Sequence, residues 1–171
     1  MTNEAKILID EDMIRAQISR SAARVSEQYR GKPLLLVSVL KGAFIFMSDY
    51  CRSLDIPCEI AFMAAESYGA STSSSGEVNI KLDIAQDISG YHVIILEDII
   101  DTGNTLKKIC DILRARAPLS LRVITLLDKP SRRCVDMKAD ESLFTIPDLF
   151  VVGYGLDYAE KYRNLRYIGI L

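Results

Sequence analysis

Residues 93–105, VIILEDIIDTGNT, hold the densest chemistry in the sequence. An apolar run ends in two adjacent carboxylates, Glu97 and Asp98. Two isoleucines follow, then Asp101, Thr102, Gly103, Asn104 and Thr105. Such a loop at the start of a helix makes an anion site. Helix-terminal amides lack intrahelical partners, two threonine hydroxyls can donate, and glycine lets a ligand approach the backbone. Vicinal carboxylates beside an anion site suit a polyhydroxyl group and a hard divalent cation, Mg2+ above all. Asp101 is close enough to the same site to act as a general base. Taken alone, Asp-Thr-Gly also caps helices and builds turns, and paired carboxylates at a strand end can be merely solvated. The whole string, between a strand and a helix, is what points to a site. No GxxxxGK[ST] is present and no GxGxxG follows a strand, which sets aside P-loop hydrolases and dinucleotide folds.

These groups need a scaffold. Residues 10–29 read as a helix with Ile14, Ile18, Ala22, Val25 and Tyr29 on one face; Asp10, Glu11 and Asp12 crowd its positive end, and Gly31 is a stop. Residues 34–40, LLLVSVL, read as a strand buried on both faces. Residues 43–54 have helical character, and 58–65, 93–96 and 121–127 are further strands. Residues 105–116 form a helix with Leu106, Ile109, Cys110 and Leu113 inward, closed by Pro118. Residues 150–152 and 167–171 are two last short strands. Apolar strands alternating with helices mean an α/β fold with a mainly parallel sheet flanked by helices. Ligands bind such sheets beyond the carboxyl ends of the strands. The polar residues there are Lys41 and Gly42, Glu97 and Asp98, Lys129, and the segment after Val152. Residues 67–76, SYGASTSSSG, are small and polar. A lid suits them better than a linker, because a linker would leave the N-terminal region a poor core of a few strands and helices.

The length of 171 residues fits one domain, 1–171. With 49% hydrophobic residues the chain is not mainly disordered. Its net charge of -2 gives no global case for nucleic-acid binding. Cys51, Cys58, Cys110 and Cys134 show no CxxC spacing, and His92 is the single histidine, so zinc sets are disfavoured and the thiols read as reduced and structural. Acid/base chemistry then falls to carboxylates, Lys or Tyr. No basic segment leads into a long apolar stretch, and no apolar run approaches a membrane span. A cytoplasmic protein without membrane partners is expected.

VIILEDIIDTGNTL resembles the 5-phosphoribosyl-1-pyrophosphate (PRPP) signature of type I phosphoribosyltransferases. LKGAFIF, ESYGAS, LLDKPSRR and PDLFVVGYGLDYAEKYRNL, in that order along nearly the whole chain, are similar to the hypoxanthine-guanine phosphoribosyltransferases in their bacterial form. The resemblance implies a central sheet with a small hood formed by the terminal segments and a flexible lid that includes Ser67 and Tyr68. It implies purine salvage: transfer of the 5-phosphoribosyl group from PRPP to N9 of hypoxanthine or guanine, giving IMP or GMP and pyrophosphate. Glu97 and Asp98 would hold the ribose hydroxyls, directly or through Mg2+. Asp101, Thr102, Gly103, Asn104 and Thr105 would bind the 5′-phosphate, with Asp101 also near purine N7. Leu40, Lys41 and Gly42 would form the pyrophosphate loop, often with a non-proline cis peptide. Lys129 would donate to O6, Phe150 would stack on the base, and Val151 would meet its edge through the backbone. Asp157 would meet the purine site and a second Mg2+, Arg163 would reach pyrophosphate, and Arg133 would order the site. Asn104 stands where some relatives have Lys, and Arg166 where bacterial relatives often have Pro. A dimer or tetramer is implied. A second class on the same fold, nucleotide-sensing RNA-binding regulators, would require a basic surface, which the charge balance argues against.

Overall fold

The computed structural model describes residues 5–67 and 78–171. The elements run β1 (Lys6–Ile9), α1 (Glu11–Tyr29), β2 (Leu34–Leu40), α2 (Phe44–Ser53), β3 (Glu59–Ser67), β4 (Val78–Leu82), β5 (His92–Ile100), α3 (Asn104–Arg114), β6 (Ser120–Asp128), β7 (Glu141–Thr145), β8 (Val151–Val152) and β9 (Ile168–Ile170). Six strands form one sheet in the order β4-β3-β2-β5-β6-β7. All its pairings are parallel except β3 with β4. The three others form an antiparallel hood, β1-β9-β8.

Sequence chemistry explains the layers. Asp10 caps α1, its carboxylate accepting from Met13 N at 2.8 Å. Every residue of β2 from Leu34 to Val39 is buried, as a strand covered on both faces must be. Alternate residues go to opposite layers. Leu36, Ile94, Leu96 and Ile124 pack with Ile14 and Ile18 of α1 and Phe46 and Tyr50 of α2. Leu35, Val37, Val93, Ile95 and Val123 pack with Ile109, Cys110 and Leu113 of α3. A buried bond of 2.7 Å between Ser21 Oγ and Tyr50 Oη joins α1 to α2. The chain leaves β2 for β3 on one side and returns to β5 on the other. The carboxyl ends of β2 and β5 therefore flank the point where strand order reverses, and a crevice opens there.

Several expectations need adjusting. The strand expected over 93–96 continues through both carboxylates to Ile100, because Glu97, Ile99 and Ile100 stay paired with β6. The helix expected over 105–116 ends at Arg114, and Ala117 adopts φ of 50° ahead of Pro118. Three strands, β1, β4 and β7, had no reading in the sequence. The strands at 150–152 and 167–171 are in the hood, not the main sheet. His92 opens β5 and is structural: Nδ1 meets Ser120 Oγ at 2.8 Å, and its ring lies 5.3 Å from that of Tyr29. Among the described residues no helix is long and apolar enough to cross a membrane.

Candidate active site

A cleft of about 260 Å³ lies at the ends of β2 and β5, lined by Lys41, Gly42, Glu97, Asp98, Asp101, Thr102, Gly103 and Thr105; Asn104 of the same loop is not in its lining. A larger cavity of about 470 Å³ lies between α1, α2 and the hood, but it contains none of these groups. Both carboxylates reach one cleft because strand alternation slips beside them. Leu96 and Ile99, three apart, face the same layer, as do Ile95 and Ile100 on the other side. Glu97 and Asp98 occupy the slip.

The loop expected to take pyrophosphate is built against this pair. The Leu40–Lys41 peptide is cis. A Cβ on Gly42 would come within 1.6 Å of Asp98 Oδ2, so only glycine permits that approach. Asp98 Oδ1 accepts from its neighbour Ile99 N at 2.7 Å. Gly103 takes φ of 87° and opens α3, turning the amides that follow toward the cleft.

Burial raises the proton affinity of both carboxyls. Glu97 is held well above the usual carboxylate range by desolvation first and by the charge of Asp98 second. Desolvation also raises Asp98, partly offset first by a hydrogen bond with the Glu97 side chain, then by Ile99 N–H and by Arg163. A divalent cation would relieve this crowding, and Mg2+ asks for only one or two carboxylates when substrate phosphates and water complete its shell. The donor set fits that use. Among the described residues no group of three or more acidic, His or Cys side chains is gathered for a metal, so the chain does not build a full cage.

A carboxyl with a raised folded pKa stabilises the fold in full below its unfolded pKa, and less as pH rises through the folded value. Ligand-free protein is thus expected to lose thermal stability through this pair as pH rises above the usual carboxylate range. Glu97→Gln should remove most of that slope and raise the midpoint at neutral pH by about 2–4 °C. Calorimetry at about pH 5 and about pH 7.5, without metal or PRPP, measures it.

The groups expected to meet the base come from later segments. Lys129 is only 7% exposed, its N–H donating to Ile100 carbonyl at 3.0 Å and its Nζ 3.9 Å from Asp148. Phe150 is 55% exposed and meets Tyr158 edge to face at 5.6 Å, which leaves ring surface open. Val151 is buried in β8. Asp157 does not join Glu97 and Asp98 in a cluster; it pairs with Arg163 at 2.9 Å and accepts from Glu160 N–H at 2.9 Å. Arg163 also donates to Gly155 carbonyl at 2.8 Å, and its Nε is buried without a hydrogen-bond partner among the described residues. Arg133 donates to the Asp101 carbonyl at 2.7 Å and pairs with Asp128. Ser67 ends β3, its backbone opposite Val78; Tyr68 lies outside the described residues. Asn104 is the first residue of α3, and Arg166 is exposed, 4.0 Å from Glu11.

Four residues had no reading in the sequence. Glu160 lies between the two cations expected to meet pyrophosphate, 3.3 Å from Lys41 Nζ and 3.2 Å from Arg163. Lys41 first, then Arg163, hold its carboxyl below the usual range. Gly155 packs on the Gly42 carbonyl. Arg132 pairs with Asp101, and Asp148 with Lys129. Of these, Gly155 alone had a local signal, the repeated glycines of VVGYGLDY; the others depend on contacts across the fold.

The Phosphoribosyl transferase domain family matches residues 7–159. The chain is 47% identical over 171 residues to the hypoxanthine phosphoribosyltransferase of Salmonella typhimurium, covering 99% of this chain and 96% of that one. It is 48% identical over 166 residues to the hypoxanthine-guanine phosphoribosyltransferase of Streptococcus pneumoniae, covering 97% and 92%. A hypoxanthine phosphoribosyltransferase crystal structure from Staphylococcus aureus superposes with a TM-score of 0.93 at 44% identity, covering 100% and 96% of the two chains. These likenesses support the enzyme and give no support to the RNA-binding regulator.

Proposed function

Because this chain belongs to the phosphoribosyl transferase family and performs its purine-salvage reaction, moving the 5-phosphoribosyl group of PRPP to a 6-oxopurine, we propose that the cleft divides that work among named residues. The observation that carries the assignment is the gathering of Glu97, Asp98 and the 101–105 loop against Lys41 and Gly42 in one cleft.

The 5′-phosphate binds at the start of α3, on the loop amides and the hydroxyls of Thr102 and Thr105. Asn104 adds no charge there, so amides and hydroxyls carry the anion. Glu97 and Asp98 hold the ribose hydroxyls and, with substrate oxygens, Mg2+; Asp157 is the acid nearest Arg163 for a second ion. Bound Mg2+ would neutralise charge on the leaving pyrophosphate. Lys41, Gly42 and Arg163 take the pyrophosphate itself. The base stacks on Phe150, meets the Val151 backbone, and receives a hydrogen bond at O6 from Lys129. N9 attacks C1′, the bond from C1′ to the pyrophosphate oxygen breaks, and Asp101 takes the N7 proton. The lid, with Ser67 and Tyr68, keeps water from the cationic centre.

Lys129 is a donor without acceptor capacity. It therefore matches a 6-oxo group and mismatches a 6-amino group. PRPP-dependent turnover of hypoxanthine, guanine, xanthine and adenine tests this. Adenine is expected at least about 10³-fold below hypoxanthine in kcat/KM; comparable rates would remove Lys129 from base recognition.

A homo-oligomer suits the surface. Ile60, Phe62 and Leu82 are exposed and share, by strand register, the α2 side of the sheet beside exposed Phe44. A cytoplasmic setting suits the cysteines, all four of which are free.

A further inference from the structure

The carboxylate of Asp101 has two oxygens, and one is already engaged. Arg132 Nε donates to Oδ1 at 3.1 Å. Oδ2 accepts no hydrogen bond among the described residues. The segment that carries Arg132 holds residues 100–102 at four points. Lys129 N–H donates to Ile100 carbonyl at 3.0 Å, Arg133 to Asp101 carbonyl at 2.7 Å, and Cys134 N–H to Thr102 carbonyl at 2.9 Å. The Arg132 contact is the fourth, and the only one of these on the Asp101 side chain. On its other side, Arg132 Nε lies 3.8 Å from Asp148 Oδ1, the same oxygen that lies 3.9 Å from Lys129 Nζ. A single ionic chain thus runs Asp101, Arg132, Asp148, Lys129.

We propose that Arg132 is a positioning residue for the reaction: it occupies Oδ1 of Asp101 and so presents Oδ2 to purine N7, while Asp148 ties this arrangement to Lys129 at O6. The inference rests on Asp101 as the base. Its physical reason is torsional. The terminal torsion of aspartate is broad, with no deep staggered well. A proton transfer, by contrast, needs its acceptor within about 2.6–3.2 Å of the donor. A guanidinium fixed by a 3-10 turn at Pro130–Arg132 supplies the missing restraint. The pair is half exposed, with Arg132 at 49% and Asp101 at 45%. Such pairs add little to folding, so its removal should leave the fold intact and act on the chemistry. The chain also gives base recognition two linked arms, one at N7 and one at O6.

The test is a double-mutant cycle on hypoxanthine turnover, with kcat read at saturating substrates and KM for PRPP from a PRPP titration. Arg132→Gln is expected to lower kcat by about 10–50-fold with KM for PRPP within about twofold. Added to Asp101→Asn, the same substitution is expected to change kcat by less than about twofold, because an amide there cannot take the N7 proton however it is oriented. Asp148→Asn, which leaves Arg132 in place, is expected to raise KM for hypoxanthine about 3–10-fold. Additive losses in the double variant, or a parallel loss of PRPP affinity in Arg132→Gln, would overturn the positioning role and leave Asp101 as the base. A silent Asp148→Asn would overturn the link to Lys129. A fully active Asp101→Asn would overturn the base assignment and this inference together.

Discussion

Asp101→Asn should lower kcat for nucleotide formation by about 10²–10⁴-fold while PRPP affinity stays within about threefold. The asymmetry follows from what the side chain does and does not hold. The 101–105 loop is fixed through its backbone: Arg133 on the Asp101 carbonyl, Cys134 N–H on the Thr102 carbonyl, and Gly103 in a left-handed conformation. Asn has the same shape and can still accept from Arg132 through its side-chain oxygen. The phosphate cradle therefore survives, whereas the proton acceptor does not. Steady-state rates with hypoxanthine, set beside calorimetric titration with PRPP, separate the two. Because the chain has no Trp, calorimetry is the direct route. A loss of PRPP affinity in step with the rate would make Asp101 a binding residue.

The second large effect is expected at Gly155. Its φ is 101°, and a Cβ would lie 2.0 Å from the Gly42 carbonyl oxygen. Backbone faces backbone here, so no side chain can swing aside. Gly155→Ala should destabilise the protein by about 3–5 kcal/mol, summing backbone strain and overpacking. At this chain length each kcal/mol lowers the midpoint by about 2–4 °C. Whatever relief the structure finds must move Gly42, which packs against Asp98 and belongs to the loop proposed to take pyrophosphate. KM for PRPP should accordingly rise at least about tenfold. Gly90→Ala, where an added Cβ meets nothing within 4 Å, is the control and should change the midpoint little. Equal midpoints in the two variants would show that the Gly155 contact yields without strain.

The main sheet was readable because its strands are buried on both faces. LLLVSVL and VIIL are continuous apolar runs, and only a covered parallel strand requires that. β1, β4 and β7 lack such a signal. KILI is four residues long and finds its partner, β9, at the far end of the chain; VNIKL is a half-exposed edge strand; ESLFT has a single buried residue. The 93–105 string was legible for a local reason, since one strand, one loop and one helix start carry all its groups. Lys129, Phe150 and Arg163 took on roles only through resemblance, because a lone Lys or Phe has the same local signature on any surface. Glu160 and Arg132 had no signature. Lys41 is 119 residues from Glu160 and Asp101 is 31 from Arg132, and opposite charges at such separations meet only once the fold is made; Arg163, three residues from Glu160, offers only an ordinary local ion pair.

Glu160 also bears on how the reaction cycle turns over. Its carboxylate lies 3.3 Å from Lys41 Nζ and 3.2 Å from Arg163, so neither cation is bare. If these cations take pyrophosphate as proposed, arrival of PRPP would be an exchange of anions, and departure of pyrophosphate the same exchange run backwards. A singly charged anion gains little by displacing a carboxylate already in place, whereas a polyphosphate brings several charges to the same two cations. On the proposed assignment of these two cations to pyrophosphate, the contact would act as a threshold that a polyphosphate passes more readily than a simple anion.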